Sequence, residues 1–293
     1  MKIIRNILVT LVGIAFFLGL VVLGTQIFFK KRYDIDLFAT INNFKTLSQP
    51  VDEATHFPDI FDTQDEKNAQ TQVNASIADL ITFDEETNKY TIHLTEISST
   101  MGAEIDLSDK ELAAFAQMMV VQQMDGKIKI SESTTLDFWV KQIKITDVQG
   151  DGSATFNTVV KFDLSTIKNG MDKFPMSIIK KYVPDSLYVS STVDITKDAT
   201  DNFKYTVSPK TLTFNNLTSE ETANMFKTLD HFLKIGSAEN LNKQIGETVM
   251  NVLVGVEGDE EKQGLATGLK PVGATGYKFT SVSEQGHFVI TIA

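Results

Sequence analysis

The chain has 293 residues, a formal net charge of −11, 42% hydrophobic residues and no cysteine. Without cysteine there is no disulfide framework, thiolate metal site, cysteine nucleophile or lipidated cysteine anchor. The acidic balance argues against nucleic acid as a partner, because phosphate backbones demand a surplus of Lys and Arg.

The first 32 residues set the class. Lys2 and Arg5 precede an apolar run over residues 7–29, in which Thr10, Thr25 and Gln26 are polar and nothing is ionisable; Lys30, Lys31 and Arg32 close it. At about 1.5 Å per residue, a helix of this length reaches roughly 34 Å, enough to cross a hydrocarbon core of about 30 Å. The run also exceeds the roughly 7–15 apolar residues of a cleavable signal peptide. It is therefore read as an uncleaved signal anchor, which makes the membrane the first partner. Residues 1–32 hold five of the 27 basic residues and none of the 38 acidic ones, so the rest of the chain carries −16. Basic charge on the two sides of the run nearly balances. An acidic domain is repelled by anionic cytoplasmic lipid. The expected topology puts the domain outside the cytoplasm, single-pass in the cell membrane. A cysteine-free exported domain of this size points to a bacterial envelope.

Residues 33–70 read as a membrane-proximal helix and an acidic stalk. Ile35, Phe38, Ile41 and Phe44, with Leu37 and Leu47, lie at helical spacing, and Pro50 ends the pattern. This helix is expected to dock on its own domain. Residues 71–293 read as one α+β domain. Tyr90, Ile92 and Leu94 alternate with Thr91, His93 and Thr95 in a half-buried strand. Ser108-Asp109-Lys110-Glu111 forms a capping box opening a helix through Met124, with Leu112, Phe115, Met119 and Val120 on one face. Asp125-Gly126 ends that helix and is the seam if the domain is double.

Two long strands follow over residues 136–148 and 154–164, joined through an Asp-Gly turn. Phe138, Val140, Ile143 and Ile145 are expected to face Thr155, Val159 and Phe162. Strands beyond the usual five or six residues imply a twisted or curved sheet. A short helix over 176–182 and strands over 187–195 and 203–214 come next, the last interrupted by Pro209. Thr218-Ser219-Glu220-Glu221 caps a helix carrying Met225, Phe226, Leu229, Phe232 and Leu233. A further helix shows Leu241, Ile245, Val249, Val252 and Val256. Six glycines between 255 and 276 suggest a mobile connector. A terminal hairpin pairs 277–282 with 288–292 through Glu284-Gln285-Gly286. The fold class is α+β: an N-terminal transmembrane helix, then a long-stranded, curved antiparallel sheet with amphipathic helices packed on one face.

Chemical signatures are weak. Ser165-Thr166-Ile167-Lys168 and Ser177-Ile178-Ile179-Lys180 match the S-x-x-K nucleophile pattern, but its companion S-D-N and K-T-G elements are missing. His56, His93, His231 and His287 are scattered without ligand spacing. Residues 147–152 resemble part of a calcium loop but lack its later bidentate Glu. No phosphate-cradling glycine loop occurs. No catalytic residue, cofactor or metal is therefore expected, and the protein reads as non-enzymatic.

What remains is apolar. Phe115, Met119 and Met124 on one helix, with Met225, Phe226 and Leu229 on another, are candidates for a deformable apolar groove. Long antiparallel strands and amphipathic helices beside a membrane resemble, in architecture, tubular lipid-binding domains. The expected function is binding of a lipid-like apolar ligand or support of envelope assembly. The alternative is a bitopic interaction subunit of a secretion, division or cell-wall complex with no ligand of its own.

Overall fold

The computed structural model describes residues 37–57, 81–84, 89–92, 104–124, 126–129, 135–170, 172, 180–233, 237–256 and 264–293. The fold is α+β, built on antiparallel sheets. Five strands pair in the order β4 (Lys127–Lys129), β5 (Thr135–Thr146), β6 (Ala154–Asp163), β7 (Ser186–Lys197) and β8 (Tyr205–Phe214). Three strands form a second sheet, β3 (Glu104–Ser108), β10 (Gln285–Ile292) and β9 (Ala274–Val282). A small hairpin joins β1 (Ile81–Asp84) to β2 (Lys89–Ile92). Among the described residues no helix is long and apolar enough to cross a membrane, and the 7–29 segment lies outside them.

Both capping boxes form. Ser108 N–H donates to Glu111 Oε2 at 2.8 Å and Glu111 N–H to Ser108 Oγ at 3.4 Å, opening α3 (Asp109–Met124). Thr218 and Glu221 exchange the same pair of bonds at 2.8 and 3.2 Å, opening α5 (Ser219–Leu233). Each pair satisfies backbone donors that a helix start otherwise leaves orphaned. The terminal hairpin turns at Ser283 and Glu284, both with positive φ, and Gln285 pairs with Val282. Because β3 pairs with β10, the chain on either side of Gly126 is woven into one sheet.

The β5–β6 register departs from expectation. Val140 pairs with Val160, but Gln142 pairs with Val159, so Lys141 is an extra, bulged residue. Ile143 then faces Thr158 and Ile145 faces Phe156, while Thr155 and Val159 turn to the opposite face. A bulge of one residue reverses side-chain parity along the strand. It lets Phe138, Val140, Ile143 and Ile145 all point inward.

The inner face holds the core. Phe156 meets Phe279 edge-on at 5.0 Å between ring centroids, joining the two sheets. Gly286 of β10 lies so close to β5 that a Cβ there would sit 2.4 Å from the Ile145 carbonyl oxygen. Helix α6 (Ala238–Leu253) packs on β7 and β8. Its buried stripe is Leu241, Asn242, Gly246, Met250 and Leu253, rotated from the expected Ile245, Val249 and Val252. The rotation brings Gly246 onto the sheet, where a Cβ would meet Val193 and Val207 side chains at 2.8–2.9 Å. It also lets the Asn242 amide bind Ser191 Oγ and the Thr192 carbonyl.

The glycine-rich stretch is no mobile connector where it is described. Residues 264–269 are buried in and around α7 (Leu265–Gly268), and β9 starts at Ala274. At Gly264 a Cβ would lie 2.3 Å from the Gly255 nitrogen, so glycine here serves close backbone approach.

Candidate functional site

The N-terminal described segment wraps the sheet. Helix α1 (Leu37–Leu47) packs on α5 and buries Phe44 and Leu47 at 2% and 1% exposure. Asn43 donates to the Glu221 carbonyl at 3.3 Å. The knot is Asn215, at the end of β8. Its amide donates to the carbonyls of Leu47 (2.8 Å) and Ser186 (3.1 Å), and its Oδ1 accepts from Tyr188 N–H at 2.7 Å. Asn216 adds a bond to the Gln49 carbonyl at 3.1 Å.

Beyond Pro50 the chain crosses to the outer face of the five-stranded sheet as α2 (Glu53–His56). Residues 51–57, expected to start an acidic stalk, therefore form a strap on the sheet; residues 58–70 lie outside the described residues. Glu53 is its latch. Its Oε1 accepts from the Tyr188 hydroxyl and from Lys161 Nζ at 3.2 Å, and its Oε2 lies 4.0 Å from Lys141 Nζ. Lys141 is the bulged residue, and its side chain is 3% exposed. Lys161 also lies over the rings of Trp139 and Tyr188, at 5.7 and 5.3 Å, in cation–π contact. Phe57 stacks on Tyr188 at 5.7 Å.

The electrostatics hold this cluster in fixed charge states. Burial raises the Glu53 carboxyl, but the Tyr188 hydrogen bond and the two lysines outweigh it and set it below its ordinary value. Burial lowers the Lys161 ammonium, yet contact with Tyr188 and Glu53 leaves it above its ordinary value. Tyr188 is raised by burial and by Glu53. A general acid or base must have its pKa moved toward the working pH. Here each group moves away from neutrality, which keeps Glu53 and Lys161 as an ion pair with the Tyr188 hydroxyl as a donor to it.

Beside the strap lies an open groove of about 410 Å³. His56 and Phe57 wall one side, Asn215, Asn216 and Thr218 another, and the floor is the sheet. Gln142, Val159, Ser190 and Thr213 form one cross-strand row on that face, and Lys144 and Asn157 pair in the next. The lining is mostly amide and hydroxyl, with Lys144 and His56 as its basic groups and Phe57 and Leu217 as apolar edges. Such a surface offers many hydrogen-bond donors and acceptors and no assembled nucleophile or metal cluster. Among the described residues no group of His, Asp or Glu is placed to hold a metal.

Among the apolar candidates, Phe115, Met225 and Phe226 do not line this groove. Phe115, Met225 and Phe226 are 3%, 1% and 4% exposed and belong to the core. Helix α3 packs on β5 and α5 on β8, three strands apart, with Phe226 against Phe214 at 5.5 Å. The side chains of Met119, Met124 and Leu229 lie outside the described residues. The S-x-x-K lysines are paired elsewhere, Lys168 of α4 (Ser165–Asn169) with Asp185 at 2.8 Å and Lys180 with Asp172 at 2.6 Å. His287 bonds Asp106 Oδ1 at 2.8 Å and His56 bonds the Asp52 carbonyl at 3.2 Å. His93 and the His231 side chain lie outside the described residues.

Sequence reasoning missed the Glu53–Lys161–Tyr188 cluster and the Asn215 knot. One signal for the bulge was present: inward residues at 138, 140, 143 and 145 break strand parity between Val140 and Ile143. Comparison with family models, with curated proteins and with solved structures finds no match to this chain.

Proposed function

We propose that this is a single-pass, membrane-anchored extracytoplasmic module that acts by binding and not by catalysis. Residues 7–29 form its transmembrane helix. The domain that follows is a long-stranded, curved sheet with helices on one face, placed in a bacterial envelope. The observation that carries the reading is how the anchor segment joins the domain. Only seven residues, 30–36, separate the apolar run from α1. At about 3.5 Å each they span at most about 25 Å. Helix α1 is then built into the core through Phe44, Leu47 and the Asn215 knot. Such a join keeps the domain within about 25 Å of the bilayer, which suits docking to a membrane-bound assembly.

Between the two settings, envelope assembly is preferred over carriage of a lipid. A carrier needs an open apolar groove, whereas Phe115, Met225 and Phe226 are packed in a closed core. The outer-face groove instead presents Gln142, Ser190 and Thr213 to a polar partner.

The test is site-specific photo-crosslinking in cells. A photoreactive residue replacing Gln142 or Thr213 in the full chain should give a discrete crosslinked product in the membrane fraction. The same residue at Glu239, exposed on α6, should give none. Equal products from all three positions, or none from the groove, would contradict the assembly reading.

A further inference from the structure

The Glu53 carboxylate sits in a site built by the sheet. Trp139, Lys161 and Tyr188 are cross-strand partners in one row across β5, β6 and β7. The bulge turns Lys141 toward the same carboxylate. Ladder pairing of three adjacent strands fixes this row, so its geometry does not depend on the strap.

The receiving side chains are more enclosed than their occupant. Lys141 and Lys161 are 3% and 16% exposed, and the Glu53 side chain is 33% exposed. Water therefore reaches the carboxylate from the strap side, and Glu53 can leave without opening the core. The strap itself is a short element. Helix α2 is one turn of four residues, far below the roughly 12–15 that an isolated helix needs. Thr55 and His56 bond back to Asp52, inside the strap.

The site selects for charge and shape. The Tyr188 hydroxyl and Lys161 Nζ donate to one oxygen of Glu53, while Lys141 Nζ lies nearer the other. Burial opposes ionisation of Glu53, yet the Tyr188 bond and the two lysines outweigh it. A cation would be repelled by both ammonium groups, and a neutral amide would leave their charge unanswered. A carboxylate on a flexible stem fits, and Glu53 shows that it does.

We propose that the Lys161–Tyr188 row, with Lys141 at its edge, is a receptor for an acidic side chain of a partner protein. Glu53 occupies it in cis until the partner's carboxylate takes its place. On its short tether Glu53 competes at an effective concentration on the order of millimolar. A free acidic peptide is therefore a weak ligand of the parent, whereas a partner held in the same membrane competes on similar terms. None of the residues varied below lines the outer-face groove, so failure here leaves the assembly reading to its own crosslinking test.

The test uses the full chain in a neutral detergent at pH 7, with binding followed by ligand-observed NMR and by thermal melting. The probe is a peptide of four glutamates, acetylated and amidated at its ends. Peptides of four glutamines and of four phosphoserines are the controls. Glu53→Gln should bind the glutamate peptide at least tenfold more tightly than the parent, and the peptide should raise its melting temperature. Adding Lys161→Gln or Tyr188→Phe to Glu53→Gln should weaken that binding at least tenfold. Tyr188→Phe keeps the ring that stacks on Phe57, so it removes the donor and leaves the packing. No saturable binding to Glu53→Gln, equal affinity of parent and Glu53→Gln, or indifference to Lys161→Gln and Tyr188→Phe would each overturn the proposal. Equal binding of the glutamine peptide, or tighter binding of the phosphoserine peptide, would overturn the choice of a carboxylate. A Glu53→Gln chain that melts lower and does not recover with saturating peptide would make Glu53 a fastener of the strap alone, which also overturns it.

Discussion

Replacing Asn215 by alanine should lower the folding free energy by about 3–5 kcal/mol, a large fraction of the 5–15 kcal/mol typical of a domain. The side chain is buried and joins three backbone groups: the Leu47 and Ser186 carbonyls and the Tyr188 amide. Alanine leaves all three without it, and each buried group so orphaned costs about 1–3 kcal/mol. Asn215 also has φ +45°, a left-handed conformation that asparagine tolerates better than alanine. The expected readout is a lower urea midpoint at unchanged slope. Proteolysis near residues 48–52 should rise too, because the Leu47 bond ties α1 to the sheet. A loss below about 1 kcal/mol would mean that Asn215 does not hold the anchor-proximal helix.

The strap gives the second large effect, with a pH signature. Glu53→Ala removes a carboxylate from beside Lys141 and Lys161, whose side chains are 3% and 16% exposed. Taking away one partner of a buried or half-buried charge leaves the other under-compensated, at a cost of about 1–3 kcal/mol. The sign with pH follows from the lowered Glu53 carboxyl. Its stabilisation is complete above the ordinary glutamate value of 4.5 and fades as pH falls through the lower folded value. Thermal melts from pH 7 to 3 should therefore show a steeper acid-side decline for the parent than for Glu53→Gln. Parallel acid-side profiles would show that the latch contributes no pH-dependent stability.

How far the sequence anticipates this molecule depends on the range of the interactions. Capping boxes at Ser108 and Thr218 are local, three residues wide, and both form as expected. The long β5–β6 hairpin and the terminal hairpin follow from alternation and turn residues. The register of β5 was misassigned because one inserted residue, Lys141, flips the parity that alternation relies on. Glycines near 264 were read as freedom, whereas their missing Cβ serves close packing; composition does not distinguish these two uses. The outer-face cluster was invisible for a different reason. Glu53 reaches Lys161 across 108 positions and Tyr188 across 135, and one acidic residue in an acidic, polar stretch looks like a solvated one. Methionine and phenylalanine on α3 and α5 suggested a groove, because core and binding surface share that composition. The observed burial of Phe115, Met225 and Phe226 places those three in the core.

A cysteine-free chain makes the location of the domain directly measurable. Thr248, exposed on α6, can be replaced by Thr248→Cys in the full chain, giving a single thiol. Intact bacterial cells expressing it are treated with a membrane-impermeant maleimide, then lysed and fractionated. The proposed topology predicts labelling before lysis, with the labelled chain in the membrane fraction, and release of the domain to the soluble fraction when residues 1–32 are deleted. Labelling only after lysis, or a full-length chain recovered as soluble protein, would contradict a membrane-anchored extracytoplasmic module.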